Sequence, residues 1–97
     1  MLKKEFERKL DELQKILAEE EIEVYVDTKY TYLTSNRELK IKVKLKAYWT
    51  KNISVHTSYT FFDVDKWFGN KTYFNNLIKY IKIDIGLVKR EILLGEL

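Results

Sequence analysis

Apolar residues near the start of the chain recur every three or four positions. They are Leu2, Phe6, Leu10, Leu13 and Leu17, with acidic and basic residues between them. This spacing places the apolar residues on one face of a helix and predicts a helix over residues 2–19. Glu19, Glu20 and Glu21 then fall at the negative end of the helix dipole, so we expect lysines from elsewhere to offset them.

From Ile22 onward the period changes to two. Alternating runs over 22–32, 39–49 and 53–61 are rich in β-branched and aromatic residues, which predicts three strands. Ser35-Asn36 supplies a turn between the first two strands, and Thr50–Asn52 a three-residue loop between the last two. The chain therefore predicts an antiparallel meander with the second strand in the centre.

The lengths of these loops predict a register, because directly paired residues share a face. The first hairpin pairs Tyr30 with Ile41, Val26 with Leu45, Ile22 with Trp49, and Asp27 with Lys44. The second pairs Trp49 with Ile53, Ala47 with Val55, Val43 with Tyr59, and Lys46 with His56. Both registers keep apolar residues opposite apolar residues on one face.

A second helical stripe follows a short helical turn that Gly69 closes. It consists of Phe74, Ile78, Ile81, Ile85, Val88 and Ile92. Asn70 is suited to cap the N-terminus of this helix, predicted over 71–94. Gly86 costs ~1 kcal/mol inside a helix, so either one helix or two helices that meet near Gly86 fit the pattern.

These elements predict one α+β domain over residues 1–97, with two layers in the order α-β-β-β-α. An N-terminal and a C-terminal helix cover one face of the sheet and leave the other face open. The order resembles that of double-stranded RNA-binding domains, but their loop and lysine motifs are absent from Ser35–Glu38 and Asn70–Tyr73. Size and layout also resemble those of some small phage inhibitors of CRISPR nucleases.

Lysines form a row on the polar side of the predicted central strand. Lys40, Lys42, Lys44 and Lys46 alternate with apolar residues, and residues 36–56 carry six basic side chains against one acid. Residues 1–23 carry five basic against eight acidic, so the net charge of +3 hides a strong asymmetry. The row fits a solvated sheet face, a docking surface for an acidic protein, or a nucleic-acid surface on which Tyr25 and Tyr48 stack bases.

The composition bears on the choice among these functions. Lysine outnumbers arginine 15 to 3 and proline is absent, a pattern typical of AT-rich coding in phages and mobile elements. We therefore predict a small non-enzymatic protein-binding module that inhibits a host defence protein by steric blockade. The predicted partner-binding residues are Tyr25, Lys40, Lys42, Lys44, Lys46, Tyr48 and His56.

Catalytic and metal chemistry has few candidates. The chain has no cysteine and one histidine, which excludes thiolate catalysis and two-histidine metal motifs within one chain. Same-face neighbours on a strand lie ~7 Å apart, so Ser54 and Ser58 are too far from His56 for a nucleophile–base pair. Asp63 and Asp65 start like a calcium loop, but Trp67 stands where an oxygen donor is needed. We expect no enzyme activity and no cofactor.

A further apolar repeat lies beside the main stripe of the last helix. Tyr73, Tyr80, Leu87 and Leu94 recur every seven residues. They fit either a wide buried face or a homodimer seam through Tyr80, Leu87 and Leu94. No apolar run reaches the ~18 residues that indicate a membrane span, and the N-terminus does not read as a signal peptide, so we expect a cytoplasmic protein.

Overall fold

The computed structural model describes the backbone of residues 2–33, 39–61 and 64–95, and the side chains of residues 2–27, 43–52, 56–60 and 64–95. The elements are α1 (Lys3–Ala18), β1 (Ile22–Leu33), β2 (Leu39–Trp49), β3 (Asn52–Phe61), α2 (Val64–Gly69) and α3 (Lys71–Leu93). The strands form one antiparallel sheet in the order β1-β2-β3. The predicted α+β fold and its element order are therefore confirmed. The Ser35-Asn36 turn lies outside the described residues.

The helices pack on one side of the sheet, α1 against β1 and α3 against β2 and β3. Their apolar stripes meet the apolar face of the strands. The core consists of Phe6, Leu13, Leu17, Ile22, Val24, Val43, Leu45, Ala47, Val64, Phe68, Phe74, Leu77, Ile78, Ile81 and Ile85. No described polar or charged residue is buried, so apolar burial dominates the stability of this fold.

Basic side chains do offset the acidic end of α1. Lys82 Nζ lies 3.2 Å from a carboxylate oxygen of Glu20, and Lys89 Nζ donates a 3.1 Å hydrogen bond to the Glu20 carbonyl. Lys51 pairs with Glu21 at 3.4 Å. Because Lys82 and Lys89 both belong to α3, these contacts also hold the C-terminal half of α3 beside the end of α1.

One continuous helix forms after Asn70. The Asn70 side-chain oxygen accepts hydrogen bonds from the backbone N–H groups of Thr72 and Tyr73, at 2.9 and 3.3 Å, which confirms the predicted cap. The helix runs through Gly86 without a break, so of the two arrangements that the pattern allowed, the single helix is correct.

A bulge changes the register in β1. Val26 pairs with Leu45 and Ile22 with Trp49 as predicted, but the pairing shifts by one residue between Asp27 and Tyr30. Tyr30 therefore lies opposite Lys42, and the predicted Tyr30–Ile41 pair is wrong. Without the shift, Lys29 would lie opposite Lys42, and like charges directly across a sheet are destabilising. The shift also brings Leu33 opposite Leu39.

The second hairpin turns more tightly than predicted. Trp49 pairs with Asn52 across a two-residue turn, and an irregularity between Tyr48 and Trp49 shifts the rest of β3. Leu45 consequently lies opposite Tyr59, and Lys46 opposite Ser58, so the predicted pairs Val43–Tyr59 and Lys46–His56 are wrong. The shift is two residues, which keeps residues 56–60 on their predicted faces because the strand period is two.

Candidate binding face of the sheet

The sheet face turned away from the helices carries five of the seven predicted partner-binding residues, and we call it the open face. Tyr25 is 53% exposed, Lys44 and His56 are exposed, and Lys46 and Tyr48 are partly exposed. The neighbouring residues Val24, Val43, Leu45 and Ala47, which point to the helices, are buried. The backbone of Lys40 and Lys42 belongs to β2, and their side chains lie outside the described residues.

Three aromatic rings cross the open face from one edge strand to the other. The rings of Tyr25 and Tyr48 meet edge to face, with centroids 5.3 Å apart, and Tyr48 and His56 lie 5.1 Å apart. This row arises because the two-residue shift in β3 moves His56 from Lys46 to Tyr48. Sequence reasoning placed all three residues on this face but missed the contact with His56, because it did not predict the irregularity between Tyr48 and Trp49.

Carboxylates balance the described part of the lysine row. Asp27 lies opposite Lys44 as predicted, and Glu23 lies diagonal to Lys46. A hydrogen bond to Glu23 is the main cause that raises the pKa of the exposed Tyr25 hydroxyl, with desolvation and the Glu23 charge adding to it. The Tyr25 O–H therefore donates to the Glu23 carboxylate, and Lys46 is the residue directly paired with Tyr25 across the strands.

The bulge gives the other half of the row different partners. Tyr30 pairs with Lys42 and Tyr32 with Lys40, just as Tyr25 pairs with Lys46. Three of the four lysines therefore pair across the strands with tyrosine. The predicted register instead paired Tyr30 with Ile41 on the apolar face. The signal that could have corrected it is the Lys29–Lys42 clash of an unshifted register.

The described part of the chain offers few groups for catalysis or metal binding. His56 contacts the Tyr48 ring, and Ser58 pairs with Lys46 on the neighbouring strand. Among the described residues, no group of three His, Cys, Asp or Glu side chains could hold a metal ion. Asp65 lies in the first turn of α2, and Asp63, the other acid of the predicted calcium-like start, lies outside the described residues.

A groove that sequence analysis did not predict lies between α1 and the free edge of β1. Its volume is about 570 Å³, and its lining includes Gln14, Ala18, Glu23 and Tyr25. The Gln14 amide nitrogen donates a 3.3 Å hydrogen bond to the carbonyl of Val24, which occupies an acceptor on the outer side of this edge strand. Tyr25 thus borders both the groove and the open face.

Comparison with known proteins identifies no relative for this fold. No family model, curated protein or solved structure matches the chain. In the described ranges, neither α1 nor α3 is at once long and apolar enough to cross a membrane. The function of this protein is therefore inferred from the chemistry of its surfaces.

Proposed function

We propose that this protein is a small non-enzymatic binding module that docks on an acidic protein surface through its open face. The observation that carries the proposal is a lysine row beside clustered aromatic rings on a face that the helices leave bare. Positive charge steers the encounter with an acidic partner, and tyrosine supplies contact area with little loss of side-chain entropy.

The arrangement divides the work between two kinds of residue. Tyr25, Tyr48 and His56 hold one another by ring contacts, so they form a partly ordered platform before any partner arrives. Tyrosine is enriched among residues that dominate binding energy, whereas charges at the rim mainly set the association rate and its salt dependence. The tyrosines are therefore the expected anchors, and the lysines select an acidic partner.

Steric blockade is the mechanism that suits such a module. A rigid domain that covers an acidic functional surface inhibits by occupancy alone and requires no catalytic group. The lysine-rich, proline-free composition supports an origin in a phage or mobile element, where the partner would be a host defence protein in the cytoplasm.

Affinity capture with matched variants tests this proposal. The bait is the full chain, in native form and with Lys40, Lys42, Lys44 and Lys46 changed to glutamate, and the lysate is treated with nuclease. The control bait carries Lys3→Glu, Lys4→Glu, Lys15→Glu and Lys71→Glu, with the same change in charge away from the open face. We expect the native and control baits to retain one acidic protein that the open-face variant loses. Equal capture by all three would show that the open face is not the binding surface.

The Tyr–Lys pairs favour single-stranded nucleic acid as a second candidate. Aromatic side chains stack on bases and lysines neutralise phosphates, and both occur here on one sheet face. Fluorescence anisotropy with a labelled single-stranded oligonucleotide at two salt concentrations tests it. Binding should weaken steeply with salt and be reduced by Tyr48→Ala. No binding to RNA or DNA at low salt would eliminate this candidate.

A further inference from the structure

The outer side of α3 exposes most of the large apolar side chains that the fold leaves uncovered. In the described part of the chain, seven such residues are exposed, and five belong to α3 or to its C-cap. They are Tyr80 (48%), Ile83 (49%), Leu87 (53%), Leu93 (79%) and Leu94 (61%). Apolar side chains clustered along one helix mark an interaction surface more often than solvated structure.

The spacing of this surface is that of a helix that packs against another helix. Tyr80, Ile83, Leu87, Arg90 and Leu94 follow at intervals of three, four, three and four residues. They form one seam of about 21 Å along α3. The buried stripe of the same helix, which includes Ile81 and Ile85, lies on the opposite side. The helix therefore has two apolar sides, and its own domain covers one.

A depression in the seam has the form that accepts a side chain from a facing helix. It measures about 200 Å³ and is lined by Leu87, Arg90, Glu91 and Leu94. These residues stand at positions i, i+3, i+4 and i+7, which are the four corners of a hole in knobs-into-holes packing. Leucines close its two ends, while Arg90 and Glu91 provide polar sides, so an aromatic ring with a hydroxyl group suits it.

We propose that the seam binds a second copy of this chain, with the two α3 helices antiparallel about a two-fold axis. In that arrangement Ile83 packs against Leu87 of the partner subunit, and Tyr80 enters the depression of the partner subunit. Each Arg90 then meets a tyrosine ring, a favourable cation–π contact. A parallel pair would instead set the two Arg90 side chains against each other, so charge favours the antiparallel arrangement.

Contacts within the fold keep the seam ordered and free of the Asp84 carboxylate. The Tyr59 hydroxyl donates a hydrogen bond to Asp84, which holds that carboxylate toward β3 and away from the seam. Lys82 and Lys89 anchor α3 to the end of α1, so the exposed half of the helix is held in place before association. Because the seam faces away from the sheet, a dimer would present two open faces, and a partner with repeated acidic sites would bind with avidity.

Sedimentation equilibrium of the full native chain tests the proposal independently of any binding partner. We expect twice the chain mass, with dissociation on dilution, and a dissociation constant raised at least 100-fold by Leu87→Glu, which buries a charge in the seam. Leu93→Glu is the matched control, because Leu93 is more exposed than Leu87 but lies about 120° away around the helix. It should leave the dimer intact.

A monomeric native chain at high micromolar concentration would overturn the proposal, as would equal effects of Leu87→Glu and Leu93→Glu. Circular dichroism of both variants shows that they remain folded, and Ile83→Glu provides a second disruption of the seam. A mixture of Tyr80→Cys and Arg90→Cys chains tests the orientation, since the native chain has no cysteine. Disulfides between the two variants support the antiparallel arrangement, and disulfides within each variant alone overturn it.

Discussion

The two faces of the sheet use the same three strands and differ in what lies against them. On the covered face, Leu45 and Ala47 are fully buried beneath helices, whereas on the open face Lys44 and Tyr25 meet solvent. The covered face gains its free energy from apolar area removed from water. The open face gains little from its charge pairs, which leaves its residues available for binding. Stability is thus assigned to one set of alternate residues of β2, and the proposed recognition to the other set.

Replacing two neighbouring residues of β2 should separate these roles most clearly. Leu45→Ala leaves a cavity in the core and should lower the free energy of unfolding by about 2–5 kcal/mol. Lys44→Ala removes an exposed side chain with one cross-strand acid and should change it by less than about 0.5 kcal/mol. Chemical denaturation measures both. Similar losses of unfolding free energy in the two variants would mean that Lys44 also stabilises the fold.

At Trp49, on the covered face, the loss of the aromatic ring should lower the free energy of unfolding more than the loss of the indole N–H alone. Trp49 Nε1 is buried and has no hydrogen-bond partner among the described residues, so we expect its N–H to contribute little to stability. Trp49→Ala should lower the free energy of unfolding by about 3–5 kcal/mol, and Trp49→Phe by about 1 kcal/mol or less. A large loss in Trp49→Phe, measured by denaturant titration, would indicate that the indole nitrogen has a structural role.

The hydrogen bond between Tyr59 and Asp84, at the rim of the covered face, predicts that the free energy of unfolding depends on pH. Burial, followed by the hydrogen bond to Asp84, raises the pKa of Tyr59 from 10.0 to about 12. Since the unfolded chain loses this proton first, the contribution of Tyr59 to stability is complete below pH 10.0 and is lost as the pH rises to about 12.

Tyr59→Phe should therefore lower the free energy of unfolding by about 1 kcal/mol near neutral pH. It should also make the decline of stability between pH 10.0 and about 12 shallower than in the native chain. Denaturation at a series of pH values measures this difference. Parallel curves for the two proteins would contradict the raised pKa.

On the open face, the ring contacts should contribute the smallest effect. A double-mutant cycle with Tyr25→Ala, Tyr48→Ala and the double variant isolates the coupling across the 5.3 Å edge-to-face contact. We expect a coupling of about 0.5–1 kcal/mol. A coupling near zero would show that the aromatic row is not ordered before binding.

Local sequence patterns were sufficient to predict the helices and strands, but they predicted the pairing between strands poorly. Asn70 as a cap, the helix stripe through Ile81 and Ile85, and the alternation of β2 each depend on neighbours within a few residues. The positions of Tyr30 and His56 depend on where a bulge or turn lies, and the chain offers several that satisfy the same apolar pattern. The candidate site was therefore predicted residue by residue, but its contacts were not.

By itself the sequence determined where helices and strands form and which side of each strand is apolar, because side-chain periodicity follows directly from backbone geometry. The tertiary structure decided the strand register and left Tyr80, Leu87 and Leu94 outside the buried face of α3. A two-residue slip keeps the apolar pattern of a strand on its face, so alternation alone does not select the register. A wide buried face and an exposed second row fit the same helical repeat, and only the packing of α3 on the sheet and at the end of α1 decides between them.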